Sequence, residues 1–198
     1  MDQTLTYKIR GLPPGLMTHN PIGMALQQQQ ASSVRTKSKV WNPVEEAELG
    51  CYRTPEGYCA IKGEGIRASI IDAALDEKIG RKALRSFVSH IRIEPDDLVV
   101  LYDLDWKPIT DYKIDTRRAI VQGQGILRSR PSFEEWQASL KIIFDDRVIE
   151  VSDARAVIFD FLVAKAGVKV GVGEFRPRPP KTKTAGRGGS YGRFEIVA

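Results

Sequence analysis

The sequence has 198 residues, 42% of them apolar and 28% charged, the balance of an ordinary globular chain and not of a disordered or fibrous one. Two cysteines and two histidines exclude a cysteine-based zinc set, and no apolar run approaches the roughly 18 residues that span a membrane. The N-terminal MDQTLTYKIRG lacks the apolar core of a signal peptide. The expected setting is therefore reducing and cytoplasmic, although a Cys51–Cys59 disulfide stays open.

Taken in order, residues 5–11 alternate, with Leu5, Tyr7 and Ile9 on one face and Thr6, Lys8 and Arg10 on the other, which predicts a strand. Gly11 and Pro13-Pro14 end it. Residues 16–60 read as a long insertion: a turn at Leu16–Pro21, a polar excursion around Gln27–Gln30, a helical turn or two at Pro43–Leu49, and a hairpin over Tyr52–Ile61 turning at Pro55-Glu56-Gly57. Ile66, Ile70, Ala73 and Ala74 recur at helical spacing and predict a helix from Gly65 to about Lys78. A helical turn at Arg81–Arg85 and strands at Phe87–Ile93 and Leu98–Tyr102 follow. Residues 112–130 predict a basic hairpin around Gln122–Gly125. Phe133–Phe144 predicts a long strand, Ala154–Ala166 a helix closed by Gly167, and Phe194–Val197 a final strand. With the insertions removed, β-α-β-β-α-β remains. That order predicts an α+β, ferredoxin-like antiparallel sheet with two helices on one face, in a single domain of 198 residues.

The net charge is +5, but it is not evenly spread. Between Lys165 and Arg193 eight basic residues stand against one acid, Glu174, a local +7 that leaves −2 for the rest of the chain. So local an excess points to a polyanion partner. In this loop Arg176, Arg178, Lys181, Lys183, Arg187 and Arg193 are candidate phosphate contacts. Gly186, Gly188 and Gly189 would let backbone N–H groups approach an anion. The bland alternative is a solvated loop. Lys62 and Arg67 flank Gly63 and Gly65 at a helix start, where free N–H groups favour anions; the glycines equally serve a turn. In the hairpin, Arg117, Arg118, Arg128 and Arg130 suit a phosphate backbone, or else a charged edge that resists aggregation. Phe175 and Tyr191 flank the basic loop and are the better placed aromatics for base stacking.

Four segments carry a family resemblance: the early strand with LPPGLMTHNP, then AIKGEGIRASIIDAA, then RSRPSFEEWQASLKI, and the ending VGVGEFRPRPP with GGSYGRFEIV. Together they resemble the RAMP superfamily, in particular the crRNA-binding backbone subunit of CRISPR interference complexes, and related proteins of phages and mobile elements. Lys62 stands where that pattern has proline, and Ala68 where it has glycine. The resemblance implies a modified RRM that binds single-stranded RNA and stacks side by side along it as a homo-oligomer, with a β-hairpin thumb at 112–130 or in the 16–50 excursion.

Catalytic signals are sparse. His19, in a loop after the first strand, is the one candidate general base for a RAMP-type endoribonuclease, against a histidine that only bonds its own loop. His90 reads as structural. The pairs Asp96-Asp97 and Asp145-Asp146, with Asp103 and Asp105, fall at strand ends where acids are common. No phosphate-binding loop or nucleophile motif is present. The expectation is a non-enzymatic binder of single-stranded RNA or DNA, with no metal, no cofactor and no membrane association. Endoribonuclease activity, or a structural role in a mobile element, stands as the alternative.

Overall fold

A computed structural model describes residues 2–23, 25, 41–121, 124–147, 154–177 and 188–197. It is α+β, with antiparallel sheets and few helices. The first strand, β1 (Asp2–Gly11), is followed by a short β2 (Leu16–Met17). Helix α1 (Pro43–Gly50) starts where Asn42 Oδ1 accepts from Val44 N at 3.1 Å, with Pro43 in the first turn. The hairpin of β3 (Tyr52–Arg53) and β4 (Cys59–Lys62) leads directly into helix α2 (Gly63–Ala73). A small hairpin, β5 (Lys78–Ile79) with β6 (Lys82–Ala83), and the short helix α3 (Leu84–Val88) precede β7 (Arg92–Glu94) and β8 (Leu98–Val100). The long hairpin is β9 (Lys113–Val121) and β10 (Gln124–Phe133), and β11 (Gln137–Asp145) follows. Helix α4 (Ala154–Lys165) ends in a π turn, Ala166–Val170, and β12 (Phe194–Val197) closes the chain.

The central sheet has the order β12-β1-β11-β7, every pair antiparallel. Strand alternation decides what each face carries. Leu5, Tyr7 and Ile9 register with Ile142, Leu140 and Ala138. These six side chains join Ile66 and Ile70 of α2 and Phe159 and Leu162 of α4 in one apolar cluster. Phe144 meets Phe159 at 4.8 Å between ring centroids, and Trp136 meets Phe194 edge-on at 6.4 Å. Tyr7 reaches through the layer to donate its hydroxyl to Asp160 Oδ1 at 2.7 Å. Thr6, Lys8, Arg10, Lys141, Arg92 and Glu94 lie on the alternate positions and are exposed. Ile70 is fully buried, so cutting it to Ala removes about 2–5 kcal/mol of stability.

Four expectations are corrected. The Phe87–Ile93 strand is in fact helix α3 followed by β7, because Leu84 and Val88, four apart, are both buried as a helical pair. The predicted helix ends at Ala73, short of Lys78. Gly80, at φ 58°, supplies a two-residue hairpin turn between Ile79 and Lys82. Strand β8 forms, but it joins a separate sheet with β3 and β4. The long strand begins at Gln137, since Phe133 ends β10, whose last residues pair with β2. The Gln27–Gln30 run lies outside the described residues. No helix among the described residues is long and apolar enough to cross a membrane.

Candidate functional site

The basic C-terminal loop has a fixed neck. Residues 171–177 leave the π turn and run beside residues 188–192, which return to β12. Tyr191 N donates to Phe175 O at 3.1 Å, Gly189 N to Arg176 O at 3.2 Å, and Val172 N to Gly192 O at 2.9 Å. The neck is tied to the rest of the fold where Glu174 N donates to Met17 O at 2.9 Å and Gly192 N to Gly15 O at 2.7 Å. Glycine at 189 is dictated by this approach: a Cβ there would sit 1.7 Å from Phe175 O. Its role is thus to close the neck, a use distinct from the anion contact that its sequence context predicts. Arg178, Lys181, Lys183 and Arg187, all in the loop that this neck closes, lie outside the described residues.

Against the neck lies one face of the β9–β10 hairpin. The register places Arg117 opposite Arg128 and Asp115 opposite Arg130, so four charged side chains share that face. The Arg117 guanidinium carbon is 5.0 Å from the Phe175 ring and 5.0 Å from the Tyr191 ring, and its Nη2 donates to Tyr191 Oη at 3.1 Å. Arg130 lies 5.0 Å from the Phe175 ring. Partly desolvated contacts of this kind contribute roughly 0.5–2 kcal/mol each. Phe175 adopts φ 52°, an uncommon conformation for a bulky residue. The two aromatic rings expected to stack on bases are therefore occupied by guanidinium groups.

Each of these arginines also faces an acid. Asp115 takes Arg117 in a two-point pair at 2.5 Å, and its carboxylate holds the guanidinium pKa further up. Glu46 of α1 accepts from Arg128 Nη1 at 2.7 Å, Ser129 N at 2.9 Å and Trp41 Nε1 at 2.9 Å. Burial works to raise the Glu46 carboxyl, but these three hydrogen bonds outweigh it and hold the group below its ordinary value. Arg130 is 8% exposed. Its nearest acid, Glu174, is 3.8 Å away. Its Nε and Nη1 find no partner among the described residues, and burial lowers its pKa.

A cleft of about 200 Å³ opens beside the neck, lined among others by His19, Tyr52, Lys62, Gly65, Glu174 and Arg176. Burial, the largest influence, pushes the His19 imidazole below its ordinary value and so favours the neutral ring. Its carbonyl accepts from Tyr52 Oη at 3.0 Å. Lys62 is paired with Asp97 and sits 5.7 Å from the Tyr52 ring. Arg176 Nη1 reaches Gly171 O at 3.5 Å.

The remaining predicted contacts are dispersed. Arg67 donates from Nε to Ile91 O at 2.7 Å and from Nη2 to Ser89 O, tying the turn before β7 to α2. Arg193 Nη2 donates to Pro13 O at 3.0 Å. Arg118 is exposed on the opposite hairpin face, registered with Leu127. Asp103 Oδ1 accepts from Asp105 N at 2.9 Å and Lys107 N at 2.8 Å and so builds a turn. Among the described residues no group of three or more His, Cys, Asp or Glu is placed to hold a metal ion. Two residues of the candidate site escape sequence reasoning: Glu46, which reads as an ordinary acid near a helix start, and Glu174, which reads as one acid in a basic run. Their partners lie 82 and 44 positions away, and no local pattern joins them. No protein-family model matches the sequence, and no curated protein is significantly similar to it.

Proposed function

We propose that the chain is a non-enzymatic protein that binds single-stranded RNA or DNA and assembles in several copies along the strand. The observation that carries this reading is the stack of Arg117, Phe175, Tyr191 and Arg130. It joins the basic hairpin to the neck from which the basic loop departs. Phosphates are the partner that a basic loop and an arginine-lined hairpin suit. The acids at Asp115, Glu46 and Glu174 offset much of the hairpin charge. The loop residues therefore supply most of the attraction, and the hairpin arginines supply a rigid, oriented edge.

The sheet order β12-β1-β11-β7, with α2 and α4 as the two crossing helices, supports a ferredoxin-like, modified-RRM arrangement. It fits a stand-alone relative of RAMP proteins, with the β9–β10 hairpin as the thumb that reaches a neighbouring copy. The test is a fluorescent single-stranded oligonucleotide titrated with the chain and with a variant carrying Arg176→Glu, Arg178→Glu, Lys181→Glu and Lys183→Glu. Loss of binding with an unchanged circular dichroism spectrum is expected. Unchanged affinity would remove the loop from the site.

A further inference from the structure

The only two cysteines, Cys51 and Cys59, are brought together by the β3–β4 hairpin. Cys51 follows α1, and Cys59 is registered opposite Arg53, two residues along from Cys51. The Cys51 Sγ–H donates to Cys59 Sγ at 3.8 Å. Both thiols are reduced and buried, Cys51 at 5% exposure and Cys59 at 0%. Arg53 Nη1 points at Cys59 Sγ from 3.6 Å. The hydrogen bond from Cys51, with Arg53 adding its charge, holds the Cys59 thiol below its ordinary value, while Cys51 is held above it by the same bond and by burial. One sulfur is thus biased toward thiolate and the other keeps its proton, within a van der Waals contact of each other.

We propose that Cys51 and Cys59 form a hydroperoxide-sensitive dithiol that closes into an intramolecular disulfide within the folded protein. In the first step the Cys59 thiolate attacks one peroxide oxygen. The O–O bond breaks, hydroxide leaves and is protonated to water, and Cys59 becomes a sulfenic acid. In the second step the Cys51 sulfur attacks Cys59 Sγ. The S–O bond breaks, the S–S bond forms, and the departing hydroxide takes the Cys51 proton as a second water. Two thiols lose two electrons, and one peroxide becomes two waters. The sulfurs must close from 3.8 Å to about 2.05 Å. Small hydroperoxides suit the site because both sulfurs are buried. A bulky disulfide oxidant would need the hairpin to open first. The proposal does not depend on nucleic-acid binding.

The test uses the full chain, reduced, desalted and treated with hydrogen peroxide. It is then unfolded, alkylated at free thiols and weighed intact. The expected result is a monomer lighter by about two mass units, the two hydrogens lost, with neither cysteine alkylated and both recovered after reduction. Two free thiols after treatment, or a covalent dimer in place of the lighter monomer, would overturn the proposal. The Cys51→Ser variant removes the second step, so Cys59 should gain oxygen without the loss of two hydrogens. An unmodified Cys59 in that variant would overturn its assignment as the reacting sulfur.

Discussion

Glu46 is the residue on which the arginine face turns. One carboxylate, its side chain 6% exposed, takes a guanidinium, an indole N–H and a backbone N–H, and so fastens α1 to the edge of β10. A buried acceptor of three donors contributes through each, and its removal leaves those donors unpaired. Glu46→Gln is expected to cost about 2 kcal/mol, measured by urea unfolding at neutral pH. That is less than the cost for a fully enclosed pair, because 25% of the Arg128 side chain reaches solvent. The folded-state pKa of Glu46 lies below its ordinary value, so its stabilisation is present above the unfolded carboxylate range near about 4.3. It is lost as pH falls through the lower folded value. The difference in urea midpoint between the chain and Glu46→Gln should therefore shrink as pH falls below about 4. A constant difference down to acid pH would mean that the carboxylate charge plays no part.

At the scale of elements, the neck and the hairpin depend on each other. Phe175 holds its ring between two guanidinium groups only while its carbonyl accepts from Tyr191 and its chain passes Gly189 closely. Gly189→Ala sets a methyl group against the Phe175 carbonyl, which must move by more than an ångström. The expected cost is about 1–3 kcal/mol, with a loss of near-ultraviolet circular dichroism from Tyr191 and Phe175. An unchanged spectrum and midpoint would mean that the neck adjusts freely. Much of this level is legible from the sequence. The period-two pattern of Tyr7 and Ile9 marks β1. The spacing of Ile66, Ile70 and Ala73 marks the buried face of α2. The arginine-rich pair of strands reads as a hairpin. The final FEIV implies that both ends of the basic loop are anchored, as the neck hydrogen bonds now describe. What misleads is local ambiguity. Leu84 to Val88 is apolar enough for either helix or strand, and only the burial of both residues against α2 selects the helix. The pairing of Arg128 with Glu46 and of Arg130 with Glu174 is decided by tertiary approach, which no short window contains.

For the whole molecule, charge is separated by layer. The helix-covered face of the central sheet is apolar and closed. The opposite face carries Lys8, Arg10, Arg92 and Lys141 against Asp2, Glu94, Asp145 and Glu195, with Arg10 paired to Glu195 at 2.6 Å and Arg92 to Asp2 at 2.5 Å, so it is close to balanced. The positive excess is left to the C-terminal loop and the hairpin beside it. On the proposed function, a polyanion would bind through counterion release, and its affinity should fall steeply with salt. The measurement that tests this most directly is fluorescence anisotropy of a labelled single-stranded oligonucleotide against salt concentration. Binding is expected at about 50 mM salt, with affinity falling roughly a hundredfold by about 200 mM if about five phosphates are contacted. Absence of binding at the lower concentration, or an affinity that ignores salt, would contradict the account.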